Sequence, residues 1–335
     1  MRTWMKPVVG AGAFAAIAVH LGGHRIGDAI VAAGPWFVVV AVVDAAAMLC
    51  DAAAIRELAR RKSSLANAVV AQASGYVLNR LTPGSMLGEP LKVSRLAREA
   101  PHDVAVSAIV LYNVATFGVG VVVIAIGAPL ALLALPVPPS LEVAVWIASV
   151  ALVVALGVLI ALVRRGLVGT LIGAMRRVRA ISRERANAWR ERTRTIDASL
   201  ASFGDAPSRR GLVLVFASRA LEQIGTLLLL HGLGAPLSDG LGLAVLSFGI
   251  PIAWASSLTP LGLGVADGGH YTLFALFGAT ATLGVAFAML DRARASILTL
   301  LAAAVCGLSL SPRASASRRS RSIRRAIACA VRLQS

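Results

Sequence analysis

The chain is poor in charge. Only 15% of its 335 residues are charged, whereas soluble domains carry about 25%. Apolar residues make up 57% of the chain and the mean hydropathy is +0.78. Several apolar runs reach the roughly 20 residues that cross a bilayer as a helix, and the ten-residue alternation of a membrane β-barrel is missing. These features exclude a soluble enzyme and predict an all-α polytopic membrane protein.

Cysteines and catalytic motifs are also scarce. The chain has three cysteines, and Cys50, Cys306 and Cys329 lack the spacing of a metal site or a disulfide framework. His20 and His24 are four residues apart, but no third metal ligand lies near them in sequence. There is no phosphate-binding loop and no nucleophile–base pair. We therefore expect no metal, no cofactor, no catalytic residues and no enzymatic activity.

The charge that is present is mostly positive. A formal net charge of +17 is typical of proteins that bind nucleic acid, but here the basic residues lie between the apolar runs. That distribution follows the positive-inside rule, by which cytoplasmic loops collect lysine and arginine. It predicts that anionic phospholipid headgroups, and not nucleic acids, are the partners of these residues.

Two short stretches of the chain are nearly the same. Residues 81–89 read LTPGSMLGE and residues 258–267 read LTPLGLGVAD. Proline and glycine break helices, and a broken helix survives in a bilayer only where its freed backbone groups line a cavity or are buried in protein. Matching breaks in the two halves of a membrane chain indicate a transporter's binding site.

Each break is followed by one acid, Glu89 in the first stretch and Asp267 in the second. Helix N-termini exposed at the breaks would add positive potential that favours a phosphate. A carboxylate in this position is suited to pairing with a cationic headgroup, a proton or an arginine. The simpler alternative is that both acids only cap a half-helix.

The basic flanks predict the topology. Basic residues precede residue 65 and follow residue 91, so segment 65–98 is expected to enter and leave the membrane on the cytoplasmic side as a hairpin. A short full span is the alternative. If span 211–231 crosses from inside to outside, segment 240–277 is expected to be a hairpin that opens from outside, as in an inverted repeat. With further spans at about 7–21, 35–55, 104–126, 141–163, 211–231 and 279–310, we predict about six to eight transmembrane helices with two broken segments.

The most basic stretch lies between the two halves. Residues 164–194 hold ten arginines and two acids, and apolar residues recur there at helical spacing, as in an amphipathic helix at the headgroups. A solvated loop helix fits the pattern equally well. We divide the chain into a transmembrane domain, 1–311, with a cytoplasmic basic segment, 164–210, and a basic cytoplasmic tail, 312–335, expected to be disordered or bound to anionic lipid.

Several ionisable residues fall inside apolar runs, where they are costly and usually face a cavity or a partner. Asp44 and Asp51 share one helix face, although Asp51 is close enough to Arg56 to be interfacial. Two acid–arginine pairs are three residues apart and suited to neutralising each other on one helix. In the alternative interpretation their arginines bind a lipid phosphate. The intramembrane polar candidates are Asp44, Arg219, Glu222, Asp291 and Arg294.

The two broken motifs resemble the signatures of a known family, the lysylphosphatidylglycerol synthetase membrane region, also called flippase-like integral membrane proteins. The first signature is an asparagine, then Pro-Gly, then Gly-Glu, and here it runs from Asn79 to Glu89. The second is a proline, glycines, an acid and a later arginine, here Pro260 to Asp267 and then Arg292. The resemblance covers most of residues 1–311.

Two residues depart from the family pattern, since Asp267 stands where glutamate is more usual and Leu261 where glycine or proline is common. The resemblance implies a flippase or scramblase-like protein of the bacterial inner membrane that handles a phospholipid or modified lipid. We expect a stand-alone member, without the aminoacyl-transferase domain of larger relatives. The substrate-binding residues implied are Asn79, Arg80, Pro83, Gly84, Gly88, Glu89, Pro260, Gly262, Gly264, Asp267 and Arg292.

Two other functions fit the sequence. A non-transporting scaffold for a lipid- or glycan-synthesis enzyme would need the basic segment but not the paired carboxylates. A membrane-embedded lipid-linked transferase would form product only with an added donor. Enzymes of a lipid pathway and a second copy of the chain are therefore further candidate partners.

Overall fold

The computed structural model describes residues 23–82, 87–133, 139–177, 205–235, 239–257 and 264–310. Within these ranges the regular structure is helical and no strand occurs. Four helices there are long and apolar enough to cross a membrane, and they cover Ala33–Leu58, His102–Leu132, Glu142–Val163 and Ala206–Gly232. The prediction of an all-α membrane protein is confirmed.

The helices fall into two halves joined by a long connecting helix. The first half contains α1 (Gly23–Leu58), α2 (Leu65–Leu81), α3 (Gly88–Leu96) and α4 (His102–Leu132). The connecting helix is α5 (Pro139–Arg177), and the second half contains α6 (Ala206–Gly232), α7 (Asp239–Ser256), α8 (Val265–Leu276) and α9 (Ala281–Leu310).

The halves repeat one order of elements, a long helix, two short helices and a long helix. Helix α1 packs along its counterpart α6. Helix α4 packs on α7, and its counterpart α9 packs on α2. The contact of α3 with α4 is matched by that of α8 with α9. Each of these contacts maps onto another when the halves are exchanged, as a two-fold pseudosymmetry in the membrane plane requires.

Hydrogen bonds close the base of the first broken segment, which we call hairpin 1 (α2 and α3). The backbone N–H of Ser64 donates to Glu99 Oε2 at 2.7 Å, and Asn67 Nδ2 donates to the carbonyl oxygen of Arg95 at 3.1 Å. Because α2 begins and α3 ends at these residues, both ends of the hairpin lie at one level. Segment 65–98 therefore has the geometry of a re-entrant hairpin and not that of a full span.

The second broken segment, hairpin 2 (α7 and α8), is closed by apolar contacts. Leu241 and Val245 near the start of α7 share one buried core with Leu273 near the end of α8. The rings of Phe248 and Phe277 lie 6.5 Å apart. The start of α7 and the end of α8 therefore also meet at one level.

Contacts at both ends of the α1–α6 pair show that these helices run antiparallel. Arg60, after the end of α1, forms a 2.8 Å ion pair with Asp205, before the start of α6. The ring of Trp36, near the start of the straight part of α1, lies 4.9 Å from that of His231 at the end of α6. Since each hairpin follows one of these helices directly, hairpins 1 and 2 open on opposite sides.

The structure corrects two boundaries. The predicted spans 7–21 and 35–55 leave residues 22–34 outside a span, but α1 begins at Gly23 and continues through a kink at Gly34, where φ is 51° and Pro35 follows. Glycine adopts positive φ without strain, so the break is confined to one residue. Helix α4 continues through Pro129 to Leu132, beyond the predicted end of its span at residue 126. The predicted span 7–21, residues 178–204 of the basic segment and the tail lie outside the described residues.

The topology can be tested with single cysteines in a variant from which the three native cysteines have been removed. We expect Lys62→Cys and Arg98→Cys to react with a membrane-impermeant maleimide from the same side, because hairpin 1 leaves where it enters. Ser140→Cys, at the start of α5, and Thr280→Cys, beside the base of hairpin 2, should react only from the other side. Reaction of Lys62→Cys and Arg98→Cys from opposite sides would contradict the re-entrant geometry.

Candidate functional site

Glu89 is held by side chains from three helices. It lies in the first turn of α3, where Oε1 accepts a hydrogen bond from Asn79 Nδ2 of α2 at 3.2 Å. Lys92 Nζ lies 2.9 Å from the same oxygen, and Asn113 Nδ2 of α4 donates to Oε2 at 2.9 Å. The carboxylate therefore ties α2, α3 and α4 together beside the break in hairpin 1.

Asn79 also caps the helix that follows the break. Its Oδ1 accepts a 2.7 Å hydrogen bond from the N–H of Gly88, the first residue of α3. This satisfies one of the N–H groups that a helix start leaves unpaired. A β-carbon on Gly88 would overlap Asn79 Oδ1 and the carbonyl oxygen of Gly75. Helices α2 and α3 can therefore approach this closely only because residue 88 has no side chain.

Lys92 is the residue that we misinterpreted. The sequence placed it in the basic cytoplasmic flank of the hairpin, but its side chain is 5% exposed and pairs with Glu89. Its ammonium lies 5.2 Å from the ring centroid of Tyr112, and its stem fills the space beside Gly75. The spacing of three residues between Glu89 and Lys92 was the signal that identifies such a pair on one helix face.

Asp267 occupies the matching position in hairpin 2. It lies in the first turn of α8 and accepts a hydrogen bond from the backbone N–H of Gly264 at 3.2 Å. The same oxygen forms an ion pair with Arg292 of α9. The capping role that we kept as the simpler alternative is therefore present at Asp267, together with a charged partner on the neighbouring long helix.

The two acids differ in how completely they are bound. Both oxygens of Glu89 have partners. In the described part of the chain, Asp267 Oδ1 and Arg292 Nε are buried and have no hydrogen-bond partner. Unpaired buried polar atoms are costly, so hairpin 2 holds an incompletely satisfied acid–arginine pair.

A second set of charges lies between the halves, which we call the central cluster: Asp44, Asp51, Arg219, Glu222, Asp291 and Arg294. Arg294 of α9 donates from Nε and Nη2 to the two oxygens of Asp44 on α1, both at 2.6 Å. It also donates to Thr226 Oγ1 of α6 at 3.2 Å. Its neighbour Asp291 is farther away, at 3.7 Å.

The other arginine of the cluster joins α1 and α6. Arg219 lies 2.7 Å from Asp51 through Nη2 and 2.7 Å from Glu222 through Nη1. Gln72 Nε2 of α2 donates to Asp51 Oδ2 at 3.2 Å and lies 3.3 Å from Tyr112 Oη of α4. Asp51 is thus a buried partner of Arg219 and not the interfacial residue that its proximity to Arg56 suggested.

One side of the central cluster stays accessible. The side chains of Glu222 and Asp291 are 40% and 49% exposed. Arg80, an exposed residue near the tip of hairpin 1, stacks over the ring of Tyr76 at 5.6 Å and lies within electrostatic range of both acids. This side therefore combines two carboxylates with one guanidinium.

The structure brings most predicted site residues into two kinds of location. Asn79, Gly88 and Glu89 form the hairpin 1 site, and Gly264 (φ 79°), Asp267 and Arg292 form the hairpin 2 site. The remaining polar candidates form the central cluster. Gln72, Tyr112 and Asn113 were missed, because single polar residues carry no sequence signal of their own. Lys92 was also missed, although its spacing from Glu89 is the signal of an ion pair on one helix face. Pro83, Gly84, Pro260 and Gly262 lie outside the described residues.

Comparison with known protein families gives a match over most of the chain. The profile of the family described as the lysylphosphatidylglycerol synthase TM region matches residues 3–303. No curated protein and no solved structure matches the chain.

A double-mutant cycle tests the Asp44–Arg294 pair. Removing one partner leaves a buried charge uncompensated, and we expect Asp44→Leu or Arg294→Met alone to lower the free energy of unfolding by about 3–5 kcal/mol. The double variant should be more stable than either single variant, because no unpaired charge remains. Equilibrium unfolding in mixed detergent–SDS micelles measures all four proteins. Simple addition of the two losses would contradict direct coupling.

A glycine series tests the close contact within hairpin 1. We expect Gly88→Ala to destabilise the protein by about 1–3 kcal/mol, because the added methyl group meets Asn79 and a backbone carbonyl in a packed site. Gly268→Ala is the matched control in α8, where a β-carbon meets nothing within 4 Å. Its melting temperature in detergent should be unchanged or higher. Equal losses at both positions would contradict the contact.

Proposed function

Because this chain belongs to the lysylphosphatidylglycerol synthase TM-region family, and is thus a membrane protein linked to lipid handling, we propose that it moves a phospholipid or modified lipid between leaflets. The proposal covers both driven and passive transport, and a scramblase is its passive form. We further propose that the protein lies in a bacterial inner membrane, with its basic segment and tail cytoplasmic, and that it carries out no chemical conversion of the lipid.

The central cluster is the observation that carries the proposal. Six ionisable side chains of α1, α6 and α9 meet between the halves of a membrane protein. Buried ion pairs contribute little net stability, and charges inside a membrane are costly and mark substrate or ion pathways. The cluster is also accessible on one side, at Glu222 and Asp291.

The hairpins supply the alternating access. They open on opposite sides and each carries an acid in the first turn after its break. In the proposed cycle, a lipid phosphate first meets Arg80 near the tip of hairpin 1. It then passes to Arg292, whose Nε has no partner among the described residues. Glu89 and Asp267 hold the positive or hydrogen-bonding part of the headgroup.

Each acid can separate from its cation only if a headgroup group takes the place of that cation. Lys92 balances the charge of Glu89, and Arg292 balances that of Asp267. A zwitterionic or anionic headgroup offers a phosphate to the cation while the acid takes a donor. The exchange keeps every charge paired inside the low-dielectric site, which limits its cost.

Lipid movement in proteoliposomes tests the proposal. Labelled anionic and zwitterionic lipids are followed by a membrane-impermeant quencher, for the native protein and for Glu89→Gln and Asp267→Asn. We expect each substitution to slow movement by roughly 10- to 100-fold, as expected for the loss of one charge-assisted hydrogen bond. Glu142→Gln, the same change at the start of α5, is the control and should leave the rate unchanged.

The outcomes separate the alternatives. No movement above empty liposomes for any lipid would overturn the proposal and favour the scaffold, which is then tested by deleting residues 178–204. Movement that survives both substitutions would keep the function and contradict the sites. Formation of a new lipid product with an added donor would favour the transferase.

A further inference from the structure

A groove lies where α1 ends and α6 begins, away from both hairpin sites. It has a volume of about 420 Å³ and is lined by Glu57, Arg61, Arg209, Arg210, Val213 and Leu214. The apolar spans of α1 and α6 run to Leu58 and from Ala206, so the groove lies at the level of the lipid headgroups. By the positive-inside rule this is the cytoplasmic side.

The groove carries excess positive charge. Three arginines line it, and its one acid, Glu57, is already engaged by Arg61 Nε at 2.8 Å. Arg209 and Arg210 lie near the N-terminus of α6, where the partial positive charge of the helix disfavours cations. Both are exposed. The dipole of α6 therefore does not favour two adjacent arginines at this position, whereas a bound anion would.

The backbone beside the groove is in an unfavourable conformation. Arg60 and Arg61 have φ angles of 54° and 56°, which side chains other than glycine rarely adopt. The pseudosymmetric position after α6 is Gly234, with φ 64°. Where the second half uses glycine, the first half has arginine, and such local strain persists mainly at functional sites.

This turn also joins the two halves. Arg60 pairs with Asp205 at 2.8 Å, and Asp205 accepts a hydrogen bond from the Ser208 N–H at 3.1 Å. Hydrogen bonds from Ser208, helped by the charge of Arg60, lower the pKa of Asp205 below its ordinary value. The carboxylate therefore stays charged at neutral pH and keeps the turn in place beside the groove.

The membrane side of the groove is apolar. Val213 is 67% exposed and lies one turn below Arg209 and Arg210 along α6, next to Leu214. Arginines at the rim, with an exposed valine and a half-buried leucine one turn deeper, match the two parts of a phospholipid, a phosphate and the upper part of an acyl chain. A soluble anion would use only the rim.

We propose that this groove binds one anionic phospholipid of the cytoplasmic leaflet, with its headgroup on Arg61, Arg209 and Arg210 and an acyl chain along Val213 and Leu214. Basic pockets between membrane helices on this side are a known setting for anionic headgroups. The bound lipid would hold α1 against α6, the contact that joins the two halves. The site is separate from the proposed translocation path.

Lipid-dependent stability of the purified full-length protein tests the proposal. Phosphatidylglycerol is added to the protein in detergent, and the melting temperature is followed against lipid concentration. We expect a saturable rise for the native protein. Arg209→Gln with Arg210→Gln should raise the lipid concentration at half-maximal response roughly 30-fold. This corresponds to a loss of about 2 kcal/mol of binding free energy, at about 1 kcal/mol for each arginine near a headgroup. Native mass spectra should show one retained lipid that the variant loses.

The matched control is Arg98→Gln with Arg165→Gln, which removes two exposed arginines from the same side of the membrane but outside the groove. It should keep the native response. Arg209→Lys with Arg210→Lys retains the charge and should lose much less affinity, which separates binding from misfolding. Readouts of binding do not require transport, so they stay valid if the proposed function fails.

Three outcomes would overturn the proposal. The first is an equal response of the groove variant and the control. The second is an equal rise with phosphatidylcholine, which would show that the headgroup charge is not recognised. The third is full replacement of the lipid by glycerol phosphate at similar concentration, which would show a small-anion site without an acyl chain.

Discussion

The cost of placing charge inside a bilayer governs this structure. Asp44 and Asp51 lie on one face of α1, within an apolar span, and neither could stay ionised there alone. Arg294 comes from α9 and Arg219 from α6 to neutralise them. These two ion pairs fix how the second half sits on the first, so the interaction that solves the charge problem also joins the halves.

The same constraint shapes the hairpins. Helices broken in a membrane must satisfy their free backbone groups within the protein, and the two halves do this differently. Asn79 caps α3 in hairpin 1 and leaves Glu89 free to bind Lys92 and Asn113. In hairpin 2, Asp267 caps α8 itself and also binds Arg292. The hairpins are therefore equivalent in position but not in chemistry, and this asymmetry would give the proposed transport cycle two different sites.

Much of the fold was predictable because the bilayer restricts what an apolar sequence can do. The break in segment 65–98 was predicted at the Leu-Thr-Pro-Gly stretch where α2 ends, and the basic flanks of hairpin 1 led to its re-entrant path. Predictions failed where one residue served two purposes. Gly34 was placed outside the predicted spans, but Gly34 and Pro35 only kink α1. Lys92 was assigned to the membrane surface, but its side chain is buried in the hairpin in an ion pair with Glu89. Hydropathy does not reveal such pairings, because it treats each charge as unpaired.

The sequence by itself determined the membrane setting, the helical class, the two breaks and the acid beside each of them. These follow from composition and from local backbone chemistry, which act over a few residues. Only the tertiary structure decided which charges meet. Asp44 and Arg294 are 250 positions apart. Asp291 is only three positions from Arg294 in sequence, but its carboxylate lies farther from the guanidinium, at 3.7 Å. Helix packing brings the distant carboxylate closer, and a buried ion pair forms with the partner whose geometry allows two short hydrogen bonds.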